Sequence, residues 1–186
     1  PRRGTSLPRL QPLPRRLAGS VAHRAGAHPG RGGDGPRGAR GAAGGGRGIA
    51  CHSMRGSHIA VIVTARNSES GVRVDRIDAI ADCGRLINPD LARQQIEGGI
   101  VFGLAQALGS ATNFERGLPT ARRLRDIDLP KLADMPEINV ELVRNDEAPG
   151  GVSELGVPAV APAIANAIFS ATGIRMRALP LLSRGL

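Results

Sequence analysis

From residue 49 onward, apolar and polar positions fall into two periods. His58-Ile59-Ala60-Val61-Ile62-Val63-Thr64 is a short, β-branched run that predicts a buried strand, and Asn67 to Gly71 reads as the turn after it. Val72 and Val74, then Ile77 and Ala79, alternate with Arg73, Asp75, Arg76 and Asp78, which predicts a second strand or strand pair with one wet face, in a hairpin with the first. Asn88 is a good N-cap, Pro89 a good first helical residue and Gly109 a good stop, so a helix is expected over 89–108. This helix is polar early and apolar late, and it carries Gly98, Gly99 and Gly103, each costing about 1 kcal/mol relative to alanine in a helix interior. Such a cost points to close backbone approach, either by packing on a sheet or by a cofactor lying against bare backbone. Asn113 to Met135 has no clear period and reads as a long irregular connection with room for a short helix. Ile138 to Val143 alternates as a strand, and Val160 to Thr172 reads as a nearly uncharged, buried helix closed by Gly173. The pattern is that of an α+β domain, a small mixed sheet with two main helices at about 89–108 and 160–172.

Composition divides the 186 residues in two. Ten of the 25 Lys and Arg fall before residue 49 against one acid, Asp34, so this segment carries the whole net charge of +9. The remainder has 15 basic and 15 acidic side chains and is neutral. Residues 1–47 are rich in Arg, Gly and Pro, contain no Ile, Phe, Met, Lys, Glu or Asn, and cannot bury enough apolar area to offset ordering entropy. They are expected to be disordered, or spurious, since the same composition arises when GC-rich DNA is read in an unselected frame. The division is therefore 1–47, a segment without a core, and 48–186, the folded domain. A nucleic-acid tail would use the arginines to neutralise phosphates, but no aromatic residue interleaves them to stack on bases. No run of 18 apolar residues exists to span a bilayer, and no apolar stretch follows either early Arg pair as an export signal requires. Cys51 and Cys83 are too few for a disulfide scaffold and read as buried thiols. His52 and His58 lack ligand partners at metal-site spacing, so no protein-ligated metal is expected, and Arg122, Arg123 and Arg125 read as a solvated loop.

One carboxylate stands apart. Glu154 lies between Gly150-Gly151 and Gly156, just before the buried helix. Glycines let backbone amides and a ligand approach closely, and a carboxyl among apolar neighbours tends toward a raised pKa suited to general-base work. The alternative is a charge that serves only the helix N-terminus. Ser153 is no nucleophile elbow, because no Gly-x-Ser-x-Gly surrounds it.

Five ordered segments carry a resemblance. They are Asp82-Cys83-Gly84-Arg85-Leu86-Ile87-Asn88-Pro89, Gln95-Ile96-Glu97-Gly98-Gly99-Ile100-Val101-Phe102-Gly103-Leu104, Met135-Pro136-Glu137-Ile138, Pro149-Gly150-Gly151-Val152-Ser153-Glu154, and the run from Pro158 through Ala161-Pro162-Ala163 to Asn166-Ala167-Ile168. Together, over about Gly46 to Leu182, they resemble the C-terminal end of the large molybdopterin-binding subunit of the xanthine oxidase and aldehyde oxidase family, most closely the isoquinoline 1-oxidoreductase beta subunit. The resemblance implies a molybdenum–molybdopterin cytosine dinucleotide cofactor and hydroxylation of an aldehyde or N-heteroaromatic carbon with oxygen from water. It makes Glu154 the general base and places the cofactor against Gln95, Gly98, Gly99, Gly151, Val152 and Ser153, with Gln95 hydrogen-bonding the pterin. It further implies a preceding part of the large subunit, a small [2Fe–2S] subunit that carries the electrons away, and a small-molecule substrate. Leu155 departs from the proline common in relatives, and the family's large subunit is several times longer. The chain alone is therefore expected to be inactive, because half a pocket cannot orient a substrate. Two other classes stay open, a non-catalytic interaction domain and a basic nucleic-acid-binding protein acting through residues 1–47. The sequence does not assign a compartment.

Overall fold

The computed structural model of the chain describes Leu17 and residues 45–68 and 71–181. The expectation of disorder therefore falls mostly on residues outside the described ones, as does the centre of the turn at residues 69 and 70. Strands β1 (Gly45–Met54), β2 (Ser57–Ser68) and β3 (Gly71–Asp82) precede helix α1 (Pro89–Leu108). A two-residue hairpin follows, β4 (Phe114–Glu115) with β5 (Leu118–Pro119), then 3₁₀ turns at Leu124–Asp126 and Leu132–Asp134. Strand β6 (Glu137–Val143) and helix α2 (Val160–Thr172) complete the domain. The main sheet runs β1-β2-β3-β6, antiparallel at the first two junctions and parallel between β3 and β6, so the expected α+β class with a mixed sheet holds. A parallel neighbour requires a crossover, and α1 lies within it.

Local chemistry sets the helix ends. The Leu91 amide donates to Asn88 Oδ1 at 3.0 Å and Pro89 follows at the first turn. Gly173 closes α2 in the left-handed conformation (φ 77°), its amide donating to Phe169 O at 2.8 Å. Inward residues Ile96, Ile100 and Leu104 of α1 recur every four positions, and Ala163, Ile164, Ala167 and Ile168 of α2 face the same core as Ile59, Val61 and Val63 of β2. Helix α2 lies across β1 and β2, while α1 packs on β6 and on α2.

Two features go beyond the sequence reading. Strand β1 is an additional element, and it begins at Gly45, so Gly45, Gly46 and Arg47 belong to the sheet rather than to the segment set apart at 1–47. A methyl on Gly46 would run into the Ala167 carbonyl and one on Gly48 into the Ala163 carbonyl, so bare backbone here is what lets α2 settle on the strand. In β3, Thr64 faces Arg76 whereas Ala65 faces Val74, leaving Asp75 as an extra residue. This bulge explains why the buried set changes phase from Val72 and Val74 to Ile77, Ala79 and Ala81, and it decides between the two readings of this stretch in favour of a single strand. Among the described residues no helix is long and apolar enough to cross a membrane.

Candidate functional site

Three connections meet at one end of the sheet. The β1–β2 turn is Arg55-Gly56, with both residues at positive φ (48° and 77°), the two-residue hairpin geometry that follows the twist of its strands. Beyond the carboxyl ends of the parallel strands β3 and β6 come the loops beginning at Cys83 and Arg144. The segment from Glu147 to Glu154 is laid across them by backbone hydrogen bonds, Arg85 N–H to Glu147 O at 2.9 Å, Gly150 N–H to Cys83 O at 2.9 Å and Gly151 N–H to Arg55 O at 3.0 Å. Its glycines are required by these crossings. A Cβ on Gly150 would meet the Ser57 hydroxyl and Gly56, and one on Gly151 would sit 3.1 Å from Arg55 Cβ. Asp82, almost fully buried, holds the underlying layer by accepting from Gly84 N–H at 3.2 Å and from Asn145 Nδ2 at 2.5 Å.

Glu154 sits at the crest of this segment and is followed by two anchors. Leu155 is fully buried in the core, and Gly156 lies on the backbone of α1, where a Cβ would come within 2.6 Å of Ile96 O. The Glu154 side chain points the other way and is 58% exposed. Ser153 Oγ donates to Glu154 Oε2 at 2.5 Å, and Arg55 Nη1 stands 3.4 Å from Ser153 Oγ and 3.8 Å from Glu154 Oε2. Gln95, from α1, donates through Nε2 to Ser153 O at 2.9 Å. One exposed surface thus gathers Gln95, Ser153 and Glu154, with Gly151 and Val152 half-buried beside them.

Two expectations are corrected. The Glu154 carboxyl lies below the usual glutamate range, not above it, because the Ser153 hydroxyl favours the charged form more than burial opposes it, with the Arg55 cation a smaller contribution in the same direction. Its apolar neighbours in sequence turn inward and leave it in water. The adjacent glycines of α1 also have different duties. Gly99 is buried, and a Cβ there would meet Gly156 Cα at 3.4 Å, so it faces the packed loop, whereas a Cβ on Gly98 would project into open space. Gly98 lies on the outward stripe Leu91, Gln95, Gly98, Phe102, in which Leu91 and Phe102 are exposed. A groove of about 330 Å³ beside this stripe is lined by Leu86, Ile87, Leu91, Gln95, Pro149 and Val152.

Arg55 was not singled out by the sequence, since β1 itself was not. The exposed position of Cys51 likewise departs from a buried-thiol reading, whereas Cys83 is buried. His58 pairs across the hairpin with Ser53 through Nδ1 at 2.7 Å, as a satisfied strand residue, and Arg122, Arg123 and Arg125 are exposed. Among the described residues no three His, Cys, Asp or Glu side chains gather as a metal site.

A family model for the molybdopterin cofactor-binding domain matches residues 43–136. The isoquinoline 1-oxidoreductase subunit beta of Brevundimonas diminuta is 35% identical over 143 residues, 75% of this chain and 18% of that protein. Among solved structures, the aldehyde oxidoreductase of Desulfovibrio gigas superposes with a TM-score of 0.59 at 28% identity over 67% of this chain and 14% of that one. Quinoline 2-oxidoreductase from Pseudomonas putida 86 superposes with a TM-score of 0.58 at 25% identity, over 67% of this chain and 17% of that one. The chain spans less than a fifth of the length of these relatives.

Proposed function

Because the chain belongs to the molybdopterin cofactor-binding family of the molybdenum hydroxylases, we propose that it forms one wall of the cofactor site in a large subunit that hydroxylates an aldehyde or N-heteroaromatic carbon, with Glu154 as general base. The observation that carries this reading is a carboxylate fixed at the crest of a loop anchored on both sides, exposed on the same surface as the Gln95 amide.

The residues present fit one side of a molybdopterin group. Gln95 uses one amide N–H on Ser153 O, which leaves its Oε1 and second N–H for the hydrogen-bonding edge of a pterin. Gly98 offers α-helical backbone with open space where a side chain would stand, and the groove under Leu91 and Val152 continues that surface. Gly151, Val152 and Ser153 border it from the sheet side, while Gly99 lies buried behind it, where Gly156 closes on α1.

When bound, the molybdenum cofactor supplies the two-electron redox chemistry, and we assign it the cytosine dinucleotide form with onward electron transfer to a [2Fe–2S] subunit. The part played by this chain is positional and protolytic. Glu154 is ionised at neutral pH, its Oε2 is occupied by the Ser153 hydroxyl, and Oε1 is the oxygen left to take a proton from the water-derived nucleophile. The Ser153 hydrogen bond fixes the direction of that oxygen. Water is excluded only once another wall covers the exposed surface, so the chain alone is expected not to turn over substrate.

The test is a chimera in which residues 45–181 replace the matching segment of the Brevundimonas diminuta subunit, compared with its Glu154→Gln variant. General-base loss predicts turnover lower by about 10²–10⁴-fold with molybdenum content unchanged. Equal turnover in the two would remove Glu154 from the chemistry.

A further inference from the structure

We propose that Arg55 is a positioning residue for Glu154, clamping the loop that carries the carboxylate to the β1–β2 hairpin. The inference rests on the reading of Glu154 as the base, and three contacts support it. The Arg55 carbonyl accepts the Gly151 amide at 3.0 Å. The Arg55 stem lies over Gly151, where even a methyl would be 3.1 Å from Cβ and 3.2 Å from Cδ. The guanidinium then reaches past this crossing to Ser153 Oγ at 3.4 Å and to within 3.8 Å of Glu154 Oε2.

The backbone of Arg55 strengthens the argument. A φ of 48° is a left-handed conformation that glycine and asparagine adopt easily and arginine does not. The hairpin would be better served by asparagine at this position, so the arginine answers a need outside the turn. That need is visible in what the side chain touches. A cation on the hairpin and a hydroxyl on the loop converge on the same carboxylate oxygen, and the neutral amide of Gln95 on α1 holds the Ser153 carbonyl from the other side. Both contacts hold the carboxylate by Oε2, which favours one rotamer of the side chain.

The experiment uses the 186-residue chain and observes Glu154 directly by ¹³C-detected NMR, following its side-chain carboxyl through a pH titration and its χ1 rotamer through ³J couplings. The variants are Arg55→Asn, which suits the turn and removes the cation, and Arg55→Lys, which keeps a cation. The wild type should show one dominant rotamer and a midpoint below ordinary glutamate. Arg55→Asn should raise the midpoint and average the couplings, Arg55→Lys should recover part of the shift, and 1 M salt should shrink the difference between wild type and Arg55→Asn. Gly151 amide protection should persist in both variants, because the residue 55 carbonyl remains to accept it. A midpoint and couplings in Arg55→Asn equal to wild type would overturn the proposal. The result is independent of turnover, so failure here and failure of the Glu154→Gln test are separate outcomes.

Discussion

Gly98 and Gly103 share one helix and one chemical type, yet the structure predicts opposite responses to alanine. In a helix interior alanine is favoured over glycine by about 0.8–1.0 kcal/mol. A methyl at Gly98 meets nothing within 4 Å, so the Gly98→Ala chain should keep this whole gain. At Gly103 the same methyl would lie 2.6 Å from Val157 O and 3.1 Å from Val160 Cγ2. A backbone carbonyl has no rotamer to relieve the contact, and overpacking of this kind costs about 1–3 kcal/mol, which offsets or exceeds the propensity gain. The two variants should therefore differ by about 1–3 kcal/mol in unfolding free energy. With a urea slope of about 2 kcal/mol/M, Gly98→Ala moves the midpoint up by about 0.5 M, while Gly103→Ala leaves it level or moves it down by up to about 1 M. Equal upward shifts in both would mean that propensity alone decides and that α1 does not close on the Val157 segment. In the assembled enzyme the stabilised Gly98→Ala variant should carry less molybdenum, since its methyl enters the face proposed for the pterin; full loading would place the cofactor elsewhere.

Asn88→Ala removes the side chain that satisfies the Leu91 amide and should cost about 1 kcal/mol by chemical denaturation, with Asn88→Asp close to wild type. Burial pushes the Cys83 thiol up, aided by Asp82 and opposed by the Ser57 hydroxyl, so the folded chain holds this proton after the unfolded chain releases it at about pH 8.5. Stability should accordingly fall as pH rises above that value, the fall should be smaller in Cys83→Ala, and iodoacetamide should label Cys51 in the native chain but Cys83 only on unfolding.

What was legible in the sequence is what neighbouring residues decide among themselves. Asn88-Pro89 and Gly173 fix helix ends through contacts within a turn, so both helices could be bounded without knowledge of the fold. Strand β1 was not legible because its evidence is an absence, glycines at 46 and 48 whose missing side chains make sense only against α2, more than a hundred residues away. The bulge at Asp75 was visible as a change of phase but could equally have divided two strands. Glu154 was conspicuous among its glycines, whereas Arg55 is 98 residues from the serine it touches and looks like any surface arginine. The direction of the Glu154 pKa was misread because sequence shows which residues are adjacent and not which way they turn; Leu155 goes into the core and Glu154 into solvent.

That direction sets the last requirement on the mechanism. A glutamate held below its ordinary value is a weak base, and its favourable interactions are present above the unfolded pKa of about 4.3 and lost as pH falls through the folded value. Covering the loop with the rest of a large subunit leaves the Ser153 hydrogen bond in place and removes water from the carboxylate. The Arg55 cation, at 3.8 Å and without a fork-to-fork pair, is too loosely placed to repay that desolvation in full. Assembly should therefore drive the Glu154 pKa upward, so that basicity is acquired only where a cofactor and substrate are enclosed. The acid limb of kcat/KM in the chimera should lie above the Glu154 midpoint measured by NMR in the isolated chain, and Arg55→Asn should raise it further. Coincidence of the two values would mean that enclosure does not tune the base and that Glu154 acts at the pKa it has in the isolated chain; an acid limb left in place by Glu154→Gln would instead assign the proton to another group.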